Sequence, residues 1–198
     1  MNINFLSKKM LHRLREASLR NELIARAMGA LPKERPYIVD ATAGLGRDSL
    51  ILAALGFEIT MLERSPILHT ELQKALKAAK KILPDTTARL RLIHADAIDW
   101  LKALPNDQHP DIIYLDPLFP ESKKSASVNK EMVMLRNLLG KEHDHADLFE
   151  TAMTCAKLRV VVKRSRLASN IVERAANFSL TGKSCRFDIY LVPILKRH

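Results

Sequence analysis

Apolar and polar positions along this chain switch repeatedly between a period of two and a period of about 3.6, which lays out strands alternating with helices. Residues 1–30 bring Leu11, Leu14, Leu19, Leu23 and Ala27 near one helical face, with His12, Arg13, Arg15, Arg20 and Arg26 interleaved. Gly29, followed by Pro32, supplies the stop. The pattern then predicts a buried strand at 37–40, a helix over 48–55 ending at Gly56, and a second strand at 57–63. A long amphipathic helix follows over 66–83, with Pro66 suited to its first position and lysines suited to its last turn. A third strand at 89–95, a helix over 97–104 and a short buried strand at 111–115 continue the alternation. Further on, 131–139 is amphipathic and stops at Gly140, 148–157 is helical, and 158–164 is a buried strand ending in two bases. A short helix through Arg174 leads to a closing hairpin at 178–181 and 186–192. Alternation of this kind predicts an α/β sandwich built on a mostly parallel sheet. Two units are expected, a basic helical extension over 1–30 and one domain over 31–198.

The rest of the chain is organised around the turn after the first strand, Asp40-Ala-Thr-Ala-Gly44-Leu-Gly46-Arg47-Asp48. Gly44 and Gly46 allow backbone angles and a close ligand approach that a Cβ would block. The unpaired N–H groups that open the next helix suit an anionic group. Two nucleotide-type ligands compete for such a turn. The dinucleotide fingerprint wants Gly or Ala at position 49, where this chain has Ser49. S-adenosylmethionine has no pyrophosphate, and asks only for an acidic strand end followed by small residues, which Asp40, Gly44 and Gly46 provide.

Later strand ends help to decide between them. Glu63 ends the second strand, where a nucleotide-binding sheet presents a carboxylate to ribose hydroxyls, and Arg64 beside it forms part of an adenosine wall. Asp96 follows the third strand; it either accepts the adenine amino hydrogen, with Ala97 offering its N–H to the ring, or caps the next helix.

The sharpest signal is Asp116-Pro117-Leu118-Phe119-Pro120 at the end of the fourth strand. Its prolines stiffen the loop, and Phe119 offers a stacking face for a planar substrate. The exocyclic amine of a base is a poor nucleophile, because its lone pair is delocalised into the ring. Asp116 and the Pro117 carbonyl accept its two N–H bonds in this reading, and so orient it toward a sulfonium methyl. A base taken from a helix would first be unstacked and then rest on Phe119.

Composition changes the picture at one point, the partner. The 32 Lys and Arg against 22 Asp and Glu leave a net charge of +10, which favours a polyanion. Candidate RNA contacts are His12 and Arg13 in the first segment, Lys123 and Lys124 in a polar loop beside the substrate pocket, and Lys163 and Arg164 at the end of a strand. Cys155 and Cys185 lack metal spacing, and His143-Asp144-His145 lacks further ligands, so no metal is expected. No apolar run approaches the about 20 residues that span a bilayer, so a cytoplasmic protein without a membrane partner is expected.

Taken together, the turn quoted above, Met-Leu-Glu-Arg, Tyr-Leu-Asp-Pro-Leu-Phe-Pro, Lys-Lys-Ser-Ala, Val-Val-Val-Lys-Arg and Arg-Phe-Asp-Ile-Tyr resemble a bacterial family. That family methylates the N2 of a guanine in 16S ribosomal RNA. The resemblance covers roughly residues 37–192. It implies a class I, Rossmann-like three-layer sandwich with a seven-stranded sheet, S-adenosylmethionine as methyl donor, and 16S rRNA or the small ribosomal subunit as partner. It also implies that Arg47, Asp48, Glu63, Arg64, Asp96, Ala97 and Asp116 line the cofactor site. The family's glycine-rich basic segment before the first motif has no counterpart here; His12-Arg13 is what stands near its place. A DNA amino-methyltransferase and a noncatalytic ribosome-assembly module are the alternatives, separated by which nucleic acid receives the methyl group and by whether any does.

Overall fold

The computed structural model describes residues 3–29, 35–117 and 144–193. Seven strands form one sheet in the order β3-β2-β1-β4-β5-β7-β6. They are β1 (Ile38–Asp40), β2 (Ile59–Glu63), β3 (Leu90–His94), β4 (Ile112–Leu115), β5 (Arg159–Ser165), β6 (Phe178–Thr181) and β7 (Cys185–Leu191). The first five run parallel, and β7 pairs antiparallel with both β5 and β6. The expected mostly parallel sheet with a closing hairpin is therefore present. The predicted helix over 131–139 and the lysine-rich loop before it lie outside the described residues.

Alternation along the strands sorts the core into two layers. Ile38, Ile112, Tyr114, Val161 and Ile189 face one helical layer. That layer holds α1 (Lys8–Glu16), α2 (Leu23–Met28), α3 (Arg47–Ala54) and α4 (Pro66–Ala79). Val39, Ile113, Leu115, Val160 and Val162 face the other layer. There α6 (Ala97–Lys102) and α7 (Asp144–Cys155) supply Leu101, Phe149 and Ala152; a short α5 (Pro84–Ala88) precedes β3. Strands buried on both faces read as continuous apolar runs, which is why 112–115 and 160–162 were legible. Among the described residues, no helix is long and apolar enough to cross a membrane.

Three local expectations change. The helix predicted over 1–30 is broken: Ser18 and Asn21 exchange side-chain and backbone hydrogen bonds, and the Asn21 amide donates to the Glu16 carbonyl at 2.7 Å. Local bonding of this kind competes with the helical ladder. The segment is also part of the core, with Phe5, Met10, Ile24 and Met28 buried in the first layer. The helix predicted over 66–83 stops at Ala79, because Pro84 cannot continue a helix and instead opens α5. The short helix before Arg174 is absent. The carbonyls of Arg166, Ala168 and Ser169 accept bonds from the Arg186 and Arg164 side chains rather than from a helical turn.

Candidate functional site

The sheet reverses strand order between β1 and β4, the place where open α/β sheets bind ligands beyond their carboxyl ends. A cleft of about 600 Å³ opens there. Asp40, Glu63, Asp116 and Lys163 reach it from β1, β2, β4 and β5, and Asp96 from just beyond β3.

One half of the cleft is closed mainly through the backbone. Gly44 and Gly46 have φ of +54° and +66°. A Cβ on Gly46 would meet Leu72 Cδ2 at 2.7 Å and Met61 Cε at 2.8 Å, whereas one on Gly44 would meet only the Thr42 carbonyl, at 3.6 Å. The surface over Gly44 is thus open to a ligand, while the underside of Gly46 is packed. Glu63 straps the turn to β2, accepting the Gly44 N–H at 3.0 Å and the Ser65 N–H at 2.8 Å. Its carboxyl is pushed up by burial, against the pull of those two amides and of Arg64. Asp40 is held by the Ser49 hydroxyl and the Thr42 N–H. Burial raises it to about 7, more than these neutral donors can offset. Asp96 caps α6 through the Ile98 and Asp99 N–H groups, at 2.9 and 3.3 Å, and lies 3.8 Å from Arg64. Arg47 and Ala97 line the same half.

The other half is closed through charge. The Asp116 N–H donates to Thr42 Oγ1 at 2.6 Å, joining the end of β4 directly to the glycine turn. Lys163 Nζ lies 2.8 Å from Asp116 Oδ2 and 2.6 Å from Asp48 Oδ2. The Tyr114 hydroxyl donates to that same Asp48 oxygen at 2.8 Å. Burial would push Asp48 up, but the charge and hydrogen bond of Lys163 hold it below the usual carboxylate range. For Asp116 burial prevails over Lys163, and its carboxyl is raised. Lys163 itself is driven well above the ordinary lysine value, burial being outweighed by the two carboxylates. Pro117 is buried at the cleft wall.

Two expected RNA contacts point elsewhere. Lys163 is engaged by two carboxylates instead of being offered to phosphate. Arg164 is buried, and its guanidinium donates to the Ser169 carbonyl at 2.6 and 3.1 Å. Of the basic pair on α1, Arg13 lines the cleft and forms a two-point ion pair with Glu22, and His12 is exposed on the helix. Phe119, Lys123 and Lys124 lie outside the described residues. Sequence reading missed Thr42 and Tyr114, and did not pair Lys163 with Asp48 and Asp116. The register brings Lys163 there: Leu115 pairs with Val162, so Asp116 and Lys163 are the next step on adjacent parallel strands.

The donor set suits S-adenosylmethionine. The open surface over Gly44, the acid strapped beside it at Glu63 and the acid beyond β3 at Asp96 form a continuous wall for an aminoacid and nucleoside pair. Among the described residues no group of three or more His, Cys, Asp or Glu is arranged to hold a metal ion.

Comparison with known proteins agrees with this geometry. The family described as "Putative SAM-dependent methyltransferase" matches residues 1–192. "Ribosomal RNA small subunit methyltransferase J" of Thioalkalivibrio sulfidiphilus is 44% identical over 193 residues, covering 96% of this chain and 76% of that protein. The protein of the same name from Chromobacterium violaceum is 42% identical, covering 93% of this chain and 73% of its own length. The crystal structure of a SAM-dependent methyltransferase from Neisseria gonorrhoeae superposes with a TM-score of 0.78 at 36% identity, covering all of this chain and 78% of that one. An RNA methyltransferase from Salinibacter ruber, solved with S-adenosyl-L-homocysteine, shares the fold at a TM-score of 0.55 and 11% identity, over 87% of this chain and 91% of its own. The chain belongs to the family of S-adenosylmethionine-dependent methyltransferases that includes ribosomal RNA small subunit methyltransferase J.

Proposed function

We propose that this enzyme methylates the exocyclic N2 of a guanine in 16S rRNA of the small ribosomal subunit. The observation that carries this reading is the 2.6 Å bond from the Asp116 N–H to Thr42 Oγ1, which brings the acceptor loop and the methyl-donor turn to one rim. The names of the relatives and the net charge of +10 support an rRNA substrate. Such a substrate puts the enzyme in the cytoplasm. The basic helical segment belongs to the methyltransferase domain, since Phe5, Met10, Ile24 and Met28 share its first core layer, and it flanks the cleft through Arg13.

When bound, S-adenosylmethionine supplies an electrophilic methyl group on a sulfonium. Glu63 holds the ribose hydroxyls with the lone pairs that Gly44 and Ser65 leave open, and the first N–H groups of α3, beside Arg47, face the carboxylate end. Asp96 and the Ala97 N–H border the adenine. Asp116 and the Pro117 carbonyl accept the two N–H bonds of the guanine amine, aim its lone pair and stabilise the positive charge that develops on nitrogen. The bound donor would supply the methyl group and retain the electron pair of its S–C bond, and Asp116 or water would take the proton that the nitrogen releases.

The test is incubation of purified protein with labelled methyl donor and, separately, small ribosomal subunits, naked 16S rRNA and duplex DNA. Label in N2-methylguanine at one rRNA position, lost in Asp116→Ala with cofactor affinity retained, is the expected result. Label in DNA alone, or none in any nucleic acid, overturns the reading.

A further inference from the structure

Lys163, first expected to contact phosphate, stands out because its ammonium is paired with two carboxylates within the cleft. Its ammonium bridges two carboxylates from different elements, Asp48 in the first turn of α3 and Asp116 at the end of β4. The bridge is anchored from below. The buried Tyr114 hydroxyl fixes Asp48, and the Tyr114 ring packs against Phe187 with centroids 6.5 Å apart. A line of hydrogen bonds thus runs from the core, through Asp48 and Lys163, to the carboxylate at the cleft.

An aspartate side chain at the mouth of a loop would otherwise rotate about two bonds. Bonding one of its oxygens to a fixed ammonium leaves the other to accept an N–H from the acceptor amine. The charge count is also suited to the chemistry. Two carboxylates and one ammonium leave net negative charge where nitrogen becomes positive, whereas Asp116 beside the Asp48 carboxylate without the ammonium would tend to take up a proton and lose its acceptor role. Asp40 from β1 adds to that tendency, Arg13 from α1 faces Asp48, and His145 lines the cleft from α7.

We propose that Lys163 is a positioning residue for methyl transfer: held by Asp48, it keeps the Asp116 carboxylate ionised and turned toward the acceptor amine. The proposal rests on the acceptor role assigned to Asp116 above, and makes Asp48 a support for Lys163 rather than only part of the cofactor wall.

The experiment compares Lys163→Met and Lys163→Arg with the native enzyme in kcat, KM for RNA, the pH dependence of kcat and affinity for S-adenosyl-L-homocysteine. The carboxyl carbon of Asp116 is titrated by NMR without RNA, its signal assigned by its loss in Asp116→Asn. Lys163→Met is expected to lower kcat about tenfold or more, less than the loss of a group that touches the reacting atoms. KM and cofactor affinity change less than kcat on this reading, since the proposed role of Lys163 is to orient the acceptor carboxylate. The acid limb of kcat and the Asp116 titration both move to higher pH in Lys163→Met, and Lys163→Arg restores both. Should the methionine variant fail to fold with two carboxylates left unpaired, Asp48→Asn/Lys163→Met is compared with Asp48→Asn, so that only the ammonium differs while the charge of Asp48, which itself raises Asp116, is absent from both. A native acid limb, native kcat and native Asp116 titration without the ammonium would overturn the proposal. If instead the native enzyme transfers no methyl group to 16S rRNA, the functional reading fails, while the Asp116 titration still decides whether Lys163 governs that carboxylate.

Discussion

Asp40, buried, and Asp48, largely withdrawn from solvent, stand on the two sides of one glycine turn, yet their surroundings drive them in opposite directions. Asp40 is met by a hydroxyl and an amide, and rises to about 7. Asp48 is met by a lysine and a tyrosine hydroxyl, and falls below the usual range. Burial is common to both, so the difference is the formal charge of the partner. The cofactor half of the cleft is held by neutral hydrogen bonds that tolerate a protonated acid. The acceptor half is held by an ion network that requires its acids charged.

The comparison would break first in stability against pH. Because the folded value of Asp40 lies above its unfolded one, its contribution is complete below about pH 4 and is lost as pH rises through about 7. A shift of that size amounts to a ceiling of ~4 kcal/mol, at about 1.4 kcal/mol per pH unit. Asp40→Asn, which mimics the protonated acid and keeps both hydrogen-bond partners, should flatten the fall in urea midpoint between pH 5 and pH 8. Equal slopes for the two proteins would show that Asp40 does not carry the effect.

On the acceptor side, Asp116→Asn should reduce kcat about a hundredfold, or ~2.7 kcal/mol, because one of the two acceptors for the amine becomes a donor. Affinity for S-adenosyl-L-homocysteine, measured by calorimetry, should change by less than about twofold. A parallel loss of cofactor affinity would merge the two halves into one functional unit.

The two glycines sharpen the distinction within the cofactor half. Gly46→Ala combines a left-handed backbone with collisions against Leu72 and Met61, and should cost about 2 kcal/mol in thermal or urea unfolding. Gly44→Ala has the same backbone constraint but open space, so its loss of stability should be about 1 kcal/mol, with a larger fractional loss of cofactor affinity. The reverse ranking in the melting curves would count against the packed underside of Gly46. Smallest is Thr42→Val, which leaves the Asp116 N–H without its acceptor. It should cost about 1 kcal/mol of stability and separate the two loops enough to lower kcat severalfold, with an unchanged kcat counting against that link.

Much of this architecture was legible beforehand because its signals are local. The apolar runs at 112–115 and 160–162, the glycines of the turn and the stop at Gly29 state their requirements within a few residues. Gly29 shows how far such reading extends. Its left-handed conformation was foreseeable, but a Cβ there would also collide with the Arg159 guanidinium, from a strand remote in sequence. One stretch was misread for a reason remote in sequence. Residues 166–174 have helical composition, yet their carbonyls are claimed by Arg164 and Arg186, and Arg186 is anchored by buried Asp188 at 2.9 Å. Arg164 and Lys163 look like free bases at a strand end because their acceptors are not written next to them.

From the sequence alone came the α/β alternation, the methyl-donor turn, the acid at each of the first strand ends and the Asp-Pro segment, since backbone propensity and apolar period act between near neighbours. Only the tertiary structure decided which of those acids would be charged and what each base would serve. Charge in a folded protein depends on burial and on partners brought together by sheet register, as Lys163 is brought to Asp116 by the pairing of Leu115 with Val162.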